Sequence, residues 1–130
     1  MRISTAKFKN NNAKYSILIG FGAVKHLKRQ ISLVCPDAKK IALIFDKKIP
    51  IKLKKKVEQQ VRKYEIHVFQ YSVNEKLKSF GKANQLNESL LKKNFNRNDI
   101  IIAVGGGVLG DFAGFVASIL KRGINFINLP

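Results

Sequence analysis

Residues 100–123 read IIIAVGGGVLGDFAGFVASILKRG, and this stretch decides how the rest of the chain is understood. Five apolar residues, Ile100–Val104, run into Gly105, Gly106 and Gly107, then into Gly110-Asp111, Gly114-Phe115 and Lys121-Arg122-Gly123. A short apolar run ending in glycine predicts a buried strand. The glycines predict a turn free of side chains, followed by a helix over residues 110–120 packed closely on its own strand. Successive glycines let the backbone touch a ligand, and the N–H groups that open the helix favour an anion such as a pyrophosphate. Tight strand-to-helix packing without any ligand is the competing explanation. The spacing also departs from the usual dinucleotide fingerprint G-x-G-x-x-G, which places an acidic residue about 20 positions later. Here the acid, Asp111, lies within the turn-helix junction itself.

Outward from this segment, strands and helices alternate. Residues 3–8 and 14–19 read as two short strands around the polar turn Asn10-Asn11-Asn12, with Gly20 and Gly22 ending the second. Residues 23–34 read as a helix closed by Pro36, and residues 40–45 as an apolar strand buried on both faces. In residues 50–64, Leu53, Val57, Val61 and Tyr64 fall on one helical stripe with most of the lysines elsewhere. A strand at 65–70 follows, then a helix at 79–93 with Phe80, Ala83, Leu86, Leu90 and Leu91 inward, and a last strand at 124–129. Such alternation predicts an α/β fold of Rossmann-like type, a mainly parallel sheet with helices on both faces.

Composition bounds the function. A chain of 130 residues is one domain's worth, and 45% hydrophobic with 25% charged residues is ordinary for a folded protein. No apolar run approaches the roughly 20 residues of a membrane span. The opening residues MRISTAKFKNNNAKYS lack the apolar centre of a secretory signal. A membrane partner is therefore not expected, and a cytoplasmic location is. The single cysteine, Cys35, fits a reducing compartment and reads as a small core or loop residue, since no motif surrounds it. The net charge of +17 invites a nucleic-acid reading. Against it, the lysines lie on solvated helix faces, no aromatic residues interleave with them, and no nucleic-acid-binding motif is present. A positive field also suits a small acidic substrate.

In a sheet of this kind ligands sit at the carboxyl ends of the strands. Asp46 follows the strand ending at Phe45, where its carboxylate can accept from a ribose hydroxyl or cap the next turn. Glu75 and Lys78 follow the next strand and share a helical face, a spacing equally common in surface charge pairs. Asp111 can hold a ribose hydroxyl or cap the helix N-terminus. His26 and His67 are too scattered to suggest a metal site and read as surface or partly buried side chains.

The string GGGVLGD-x-x-GF-x-A followed by Arg122-Gly123 resembles the 3-dehydroquinate synthases and their sugar-phosphate cyclase relatives. More distantly it is similar to the GGGS-x-x-D turn of the iron-dependent alcohol and glycerol dehydrogenases. The resemblance runs from Tyr15-Ser16-Ile17 to Leu129-Pro130 and includes Asp46, the Glu75-x-x-Lys78-Ser79 segment and Arg97-Asn98-Asp99. It implies that Asp46, Glu75, Lys78, Gly106, Gly107, Val108 and Asp111 contact NAD. It implies too that Arg122 reaches an acidic, phosphorylated sugar-acid substrate across a homodimer interface. Many relatives carry Asn where this chain has Lys48, and Gly where it has Asn74.

The activity so implied is conversion of 3-deoxy-D-arabino-heptulosonate 7-phosphate to 3-dehydroquinate and phosphate in the shikimate pathway. In that reaction NAD oxidises a ring hydroxyl, phosphate leaves, and the hydride returns before ring closure. A divalent metal, zinc or cobalt, assists, on ligands that relatives carry in a later helical domain. The resemblance thus implies that residues 1–130 are the N-terminal dinucleotide-binding part of a longer enzyme, inactive alone. Two alternatives remain: a related cyclase or metal-dependent dehydrogenase, and a non-catalytic nucleotide-binding module.

Overall fold

The computed structural model describes residues 4–9, 14–19, 23–74, 80–120 and 123–129. Strands β1 (Ser4–Lys9) and β2 (Lys14–Ile19) form an antiparallel pair, with β2 beside β6 (Asn125–Leu129). A 3-10 turn (Ala23–His26) leads into α1 (Leu27–Val34), followed by β3 (Lys40–Asp46), α2 (Ile51–Gln60), β4 (Glu65–Tyr71), α3 (Phe80–Lys92), β5 (Ile100–Val104), α4 (Gly107–Ile119) and β6. The four later strands make one parallel sheet in the order β4-β3-β5-β6. The predicted Rossmann-like α/β architecture is present.

Why these segments become central strands is plain from their two faces. Every residue from Ile41 to Phe45 and from Ile100 to Val104 is buried, so both strands are apolar throughout and not alternating. On one face Ala42, Ile44, Ile101 and Ala103 meet Leu86 and Leu90 of α3 and Phe112 and Val116 of α4. On the other, Ile41, Leu43, Ile100 and Ile102 meet Leu27 and Ile31 of α1 and Val57 and Val61 near α2. The chain leaves β3 toward β4 through α2 on the second face, and leaves β5 toward β6 through α4 on the first. The connections therefore diverge between β3 and β5, which opens a crevice above their carboxyl ends.

Several boundaries differ from expectation. Helix α4 begins at Gly107, not at Gly110: Gly106 takes the cap position at φ −77° and ψ −175°, and the Gly110 amide already bonds to the Gly106 carbonyl at 3.1 Å. Glycine's poor helix propensity hides this first turn, but burial of Leu109, Phe112 and Val116 outweighs it. Helix α2 ends at Gln60, and Tyr64 lies in the turn closed by its amide on the Val61 carbonyl. Leu91 is 39% exposed, because neighbouring Leu90 occupies the inward position of α3. The expected Asn10-Asn11-Asn12 turn, Gly20, Gly22 and the side chain of Phe80 lie outside the described residues.

Two of the glycines are explained by helix-to-strand packing. A Cβ on Gly110 would lie 2.8 Å from Asn128 Nδ2, and one on Gly114 would lie 3.3 Å from Phe126 Cε2. Helix α4 thus receives two β6 side chains in the groove left by glycines one turn apart. Gly110→Val is expected to lower stability by about 1–3 kcal/mol, the usual result of overpacking. Its chemical-denaturation midpoint should fall accordingly; an unchanged midpoint would mean that Asn128 moves aside at no cost.

Candidate functional site

The crevice at the divergence of β3 and β5 is built from Asp46 on one side and the Gly105-Gly106-Gly107 turn on the other. Parallel pairing sets Phe45 opposite Val104, so the two strands end at the same level. Backbone bonds then continue past the strand ends, from the Lys47 amide to the Tyr71 carbonyl at 3.0 Å and from the Gly105 amide to the Leu129 carbonyl at 3.1 Å. A Cβ at Gly105 would lie 2.8 Å from Leu109 Cδ2 and 3.1 Å from the Asp46 Cβ. At Gly105 the end of β5 is pressed between Asp46 of β3 and Leu109 of α4, and glycine there serves packing.

Gly106 and Gly107 are different. Both are exposed, and beyond the adjoining backbone a Cβ on either would meet no atom of the described residues within 4 Å. Neither has a positive φ. Among the described residues no packing neighbour demands glycine at these two positions, although glycine suits the cap position that Gly106 holds. They open α4, whose cap residue Gly106 offers no side-chain hydrogen bond, so the first amides of the helix have no side-chain cap. Val108 is half-buried and packs on the apolar cluster beneath α4.

Asp46 is half-buried, and its Oδ1 accepts from the Lys48 amide at 2.9 Å, which bends the chain away from β3. The turn-capping role considered for this residue is thus present. One such bond leaves most of the acceptor capacity of a carboxylate available. Asp111 does not cap α4, because Gly106 holds that position; it is exposed in the second turn. Glu75, Lys78 and Arg122 lie outside the described residues.

Tyr71 had no place among the expected site residues. It pairs with Asp46 across β3 and β4, and its ring meets Phe112 of α4 edge-on at 5.2 Å and 66°. Burial pushes its phenol above the ordinary range. With Val73 and Val108 it gives this end of the sheet a half-buried apolar rim. Its position as the last residue of a strand, directly opposite Asp46 in the sheet, is the signal that marks it.

Other chemistry-bearing groups lie apart. The Cys35 thiol is buried and desolvation pushes it up to about 11, so it remains protonated near neutral pH and suits a core residue. His67 pairs with Glu65 at 2.8 Å on the edge strand β4, and His26 is exposed. Among the described residues no three of His, Cys, Asp and Glu cluster closely enough to hold a metal ion. A cavity of about 370 Å³ lined by Ser32, Pro36, Ala38, Lys39, Lys63 and Tyr64 lies at the opposite end of the strands and shares no residue with the crevice.

Comparison with known proteins bears on the family and the fold. The family described as 3-dehydroquinate synthase N-terminal matches residues 68–130. A 3-dehydroquinate synthase from Pelagibacter ubique is 36% identical over 130 residues, covering 100% of this chain and 35% of the relative. The chain belongs to the 3-dehydroquinate synthase family. Another synthase of the family, from Staphylococcus carnosus, is 35% identical over 127 residues, covering 95% of this chain and 34% of its own length. The chain thus spans about a third of the length of these relatives.

Among solved structures, 2-deoxy-scyllo-inosose synthase complexed with carbaglucose-6-phosphate, NAD+ and Co2+ superposes with a TM-score of 0.81 at 22% identity. That match covers 98% of this chain and 35% of the other. A 2-epi-5-epi-valiolone synthase from Streptomyces hygroscopicus with NAD+ and Zn2+ bound gives 0.64 at 19% identity, covering 80% of this chain and 30% of that one. At these identities the likeness concerns the fold.

Proposed function

We propose that residues 1–130 form the N-terminal dinucleotide-binding domain of a 3-dehydroquinate synthase and hold NAD at the β3–β5 crevice. One observation carries this reading: Gly106 and Gly107 stand open at the start of α4, where no described neighbour crowds them. Glycine there lets a pyrophosphate approach the backbone and the first amides of the helix. Asp46, across the crevice, accepts from a ribose hydroxyl with its remaining acceptor capacity. Tyr71, Val73 and Val108 offer apolar surface to the flat parts of the cofactor. Glu75, Lys78 and Asp111 complete the contacts in this reading, and Arg122 serves the phosphorylated sugar-acid substrate across a homodimer interface.

Bound NAD supplies reversible hydride removal from a substrate hydroxyl, which makes elimination of phosphate feasible in a reaction with no net redox change. The residues of this chain bind and orient the cofactor. The divalent metal of the complete enzyme, zinc or cobalt, finds no set of ligands among the described residues. Among the described residues no helix is long and apolar enough to cross a membrane. In this reading the protein has a cytoplasmic place, at a step of aromatic amino-acid biosynthesis. The similarity in fold to 2-deoxy-scyllo-inosose synthase favours a second reading, a related sugar-phosphate cyclase with the same cofactor site. Assay of the complete protein with 3-deoxy-D-arabino-heptulosonate 7-phosphate and with hexose 6-phosphates separates the two.

Asp46→Ala tests the cofactor site. Loss of a charge-assisted hydrogen bond, worth about 1.5–3 kcal/mol, predicts a fall in NAD affinity of roughly tenfold to a hundredfold. Calorimetric titration measures it; unaltered affinity would remove Asp46 from the site.

A further inference from the structure

We propose that Lys48 is a specificity-determining residue of the dinucleotide site, admitting a cofactor whose adenosine ribose carries a 2′-phosphate beside the unphosphorylated form. This rests on the placement of the adenosine ribose at Asp46. A carboxylate in that place favours a free 2′-hydroxyl and repels a phosphate, whereas a nearby cation accommodates the phosphate. Here both elements occur in one turn. The Lys48 amide lies 2.9 Å from Asp46 Oδ1. With an N–Cα bond of about 1.5 Å, its Cα stands no more than about 4.4 Å from that oxygen. The Lys48 side chain is exposed, as is that of Lys47.

Within the segment that follows Asp46, this pair of cations is what stands next to its carboxylate. From Asp46 to Val57 the sequence is DKKIPIKLKKKV, with no second acid before Glu58. Lys54 is committed elsewhere: its Nζ donates to Gln70 Oε1 at 3.2 Å and lies 6.0 Å from the centre of the Phe45 ring. An ammonium on a flexible stem meets a phosphate as a point charge and needs no preset fork geometry. Lys48 therefore offsets the repulsion that Asp46 alone would impose, and the site discriminates weakly between the two cofactor forms.

Calorimetric titration of the complete protein with NAD and with NADP tests this, comparing the unchanged chain with Lys48→Asn and Lys48→Gln. Only the backbone of Lys48 makes a described contact, so both variants should keep the melting temperature of the parent. The expected result is that NADP affinity falls roughly tenfold, that NAD affinity changes less than about twofold, and that the NADP difference shrinks as salt rises. An unchanged ratio of the two affinities in both variants overturns the proposal. So does binding of NAD with no detectable binding of NADP to the unchanged protein, which leaves the cofactor site intact and Asp46 dominant. Failure of NAD itself to bind removes the site and this inference together.

Discussion

Asp99→Ala is expected to destabilise the chain by about 3–5 kcal/mol, as befits a change that strands buried hydrogen-bond donors around a lost carboxylate. Asp99 is only 1% exposed and sits just before β5. Its Oδ1 accepts from the amides of Lys39 and Lys40 at 3.2 and 2.9 Å, and its Oδ2 accepts from the Asn96 amide at 2.9 Å. Asn125 Nδ2 adds contacts of 3.3 to 3.4 Å to the carbonyls of Arg97, Asn98 and Asp99. One carboxylate thus ties the beginning of β3 to the beginning of β5, and β6 is tied to the same turn.

The consequence reaches the other end of the sheet. Strand β5 has five residues, so the register held at Asp99 places Asp46 beside Gly105. Asp99→Asn, which keeps the shape and one carbonyl acceptor, should lose roughly half as much. Urea unfolding measures both, and a loss below about 1 kcal/mol for the alanine variant would show that solvent replaces the carboxylate.

The second large effect is on binding with stability spared. Gly107→Ala adds a methyl group to an open position of a helix without positive φ, so stability should hold or rise by up to about 1 kcal/mol. The same methyl group stands where a pyrophosphate would approach the first helical amides. NAD affinity is therefore expected to fall by tenfold or more. Gly106→Ala should lose affinity likewise, with some loss of stability, because glycine is preferred over alanine at the helix cap. Gly105 provides the contrast, since a Cβ there would crowd Leu109 and Asp46 and affect the fold itself. Thermal melts and titrations on the same samples separate the two effects. Affinity unchanged in both open-glycine variants would leave these glycines unexplained.

Much of this was legible in the residues. The continuous apolar runs at Ile41 to Phe45 and Ile100 to Val104 announced doubly buried parallel strands, and alternation with amphipathic segments announced the layered fold. Asp46 and the glycine turn were both marked as strand-end features, and the sheet brings them together. The different duties of the glycines were not legible, because they depend on Asn128 and Phe126, residues that only the pairing of β6 with β5 carries under α4. The start of α4 was hidden for the same reason: local propensity opposes a helix at Gly107, and packing of Leu109 and Phe112 overrides it. Asp99 was seen only as part of a family pattern, since the amides it serves lie some 60 residues away in sequence. Tyr71 was overlooked because its partner, Phe112, is likewise distant in the chain.

The most direct test of the cofactor site is a map of backbone amide shifts as NAD is titrated to millimolar concentration into the isotope-labelled protein. Asp46, Lys47, Lys48 and residues 105–109 are expected to shift together along one binding curve. Lys39, Tyr64 and Asn96, at the far end of the strands, should stay in place. Shifts confined to that far end, or none at saturating NAD, would contradict a dinucleotide site between β3 and β5.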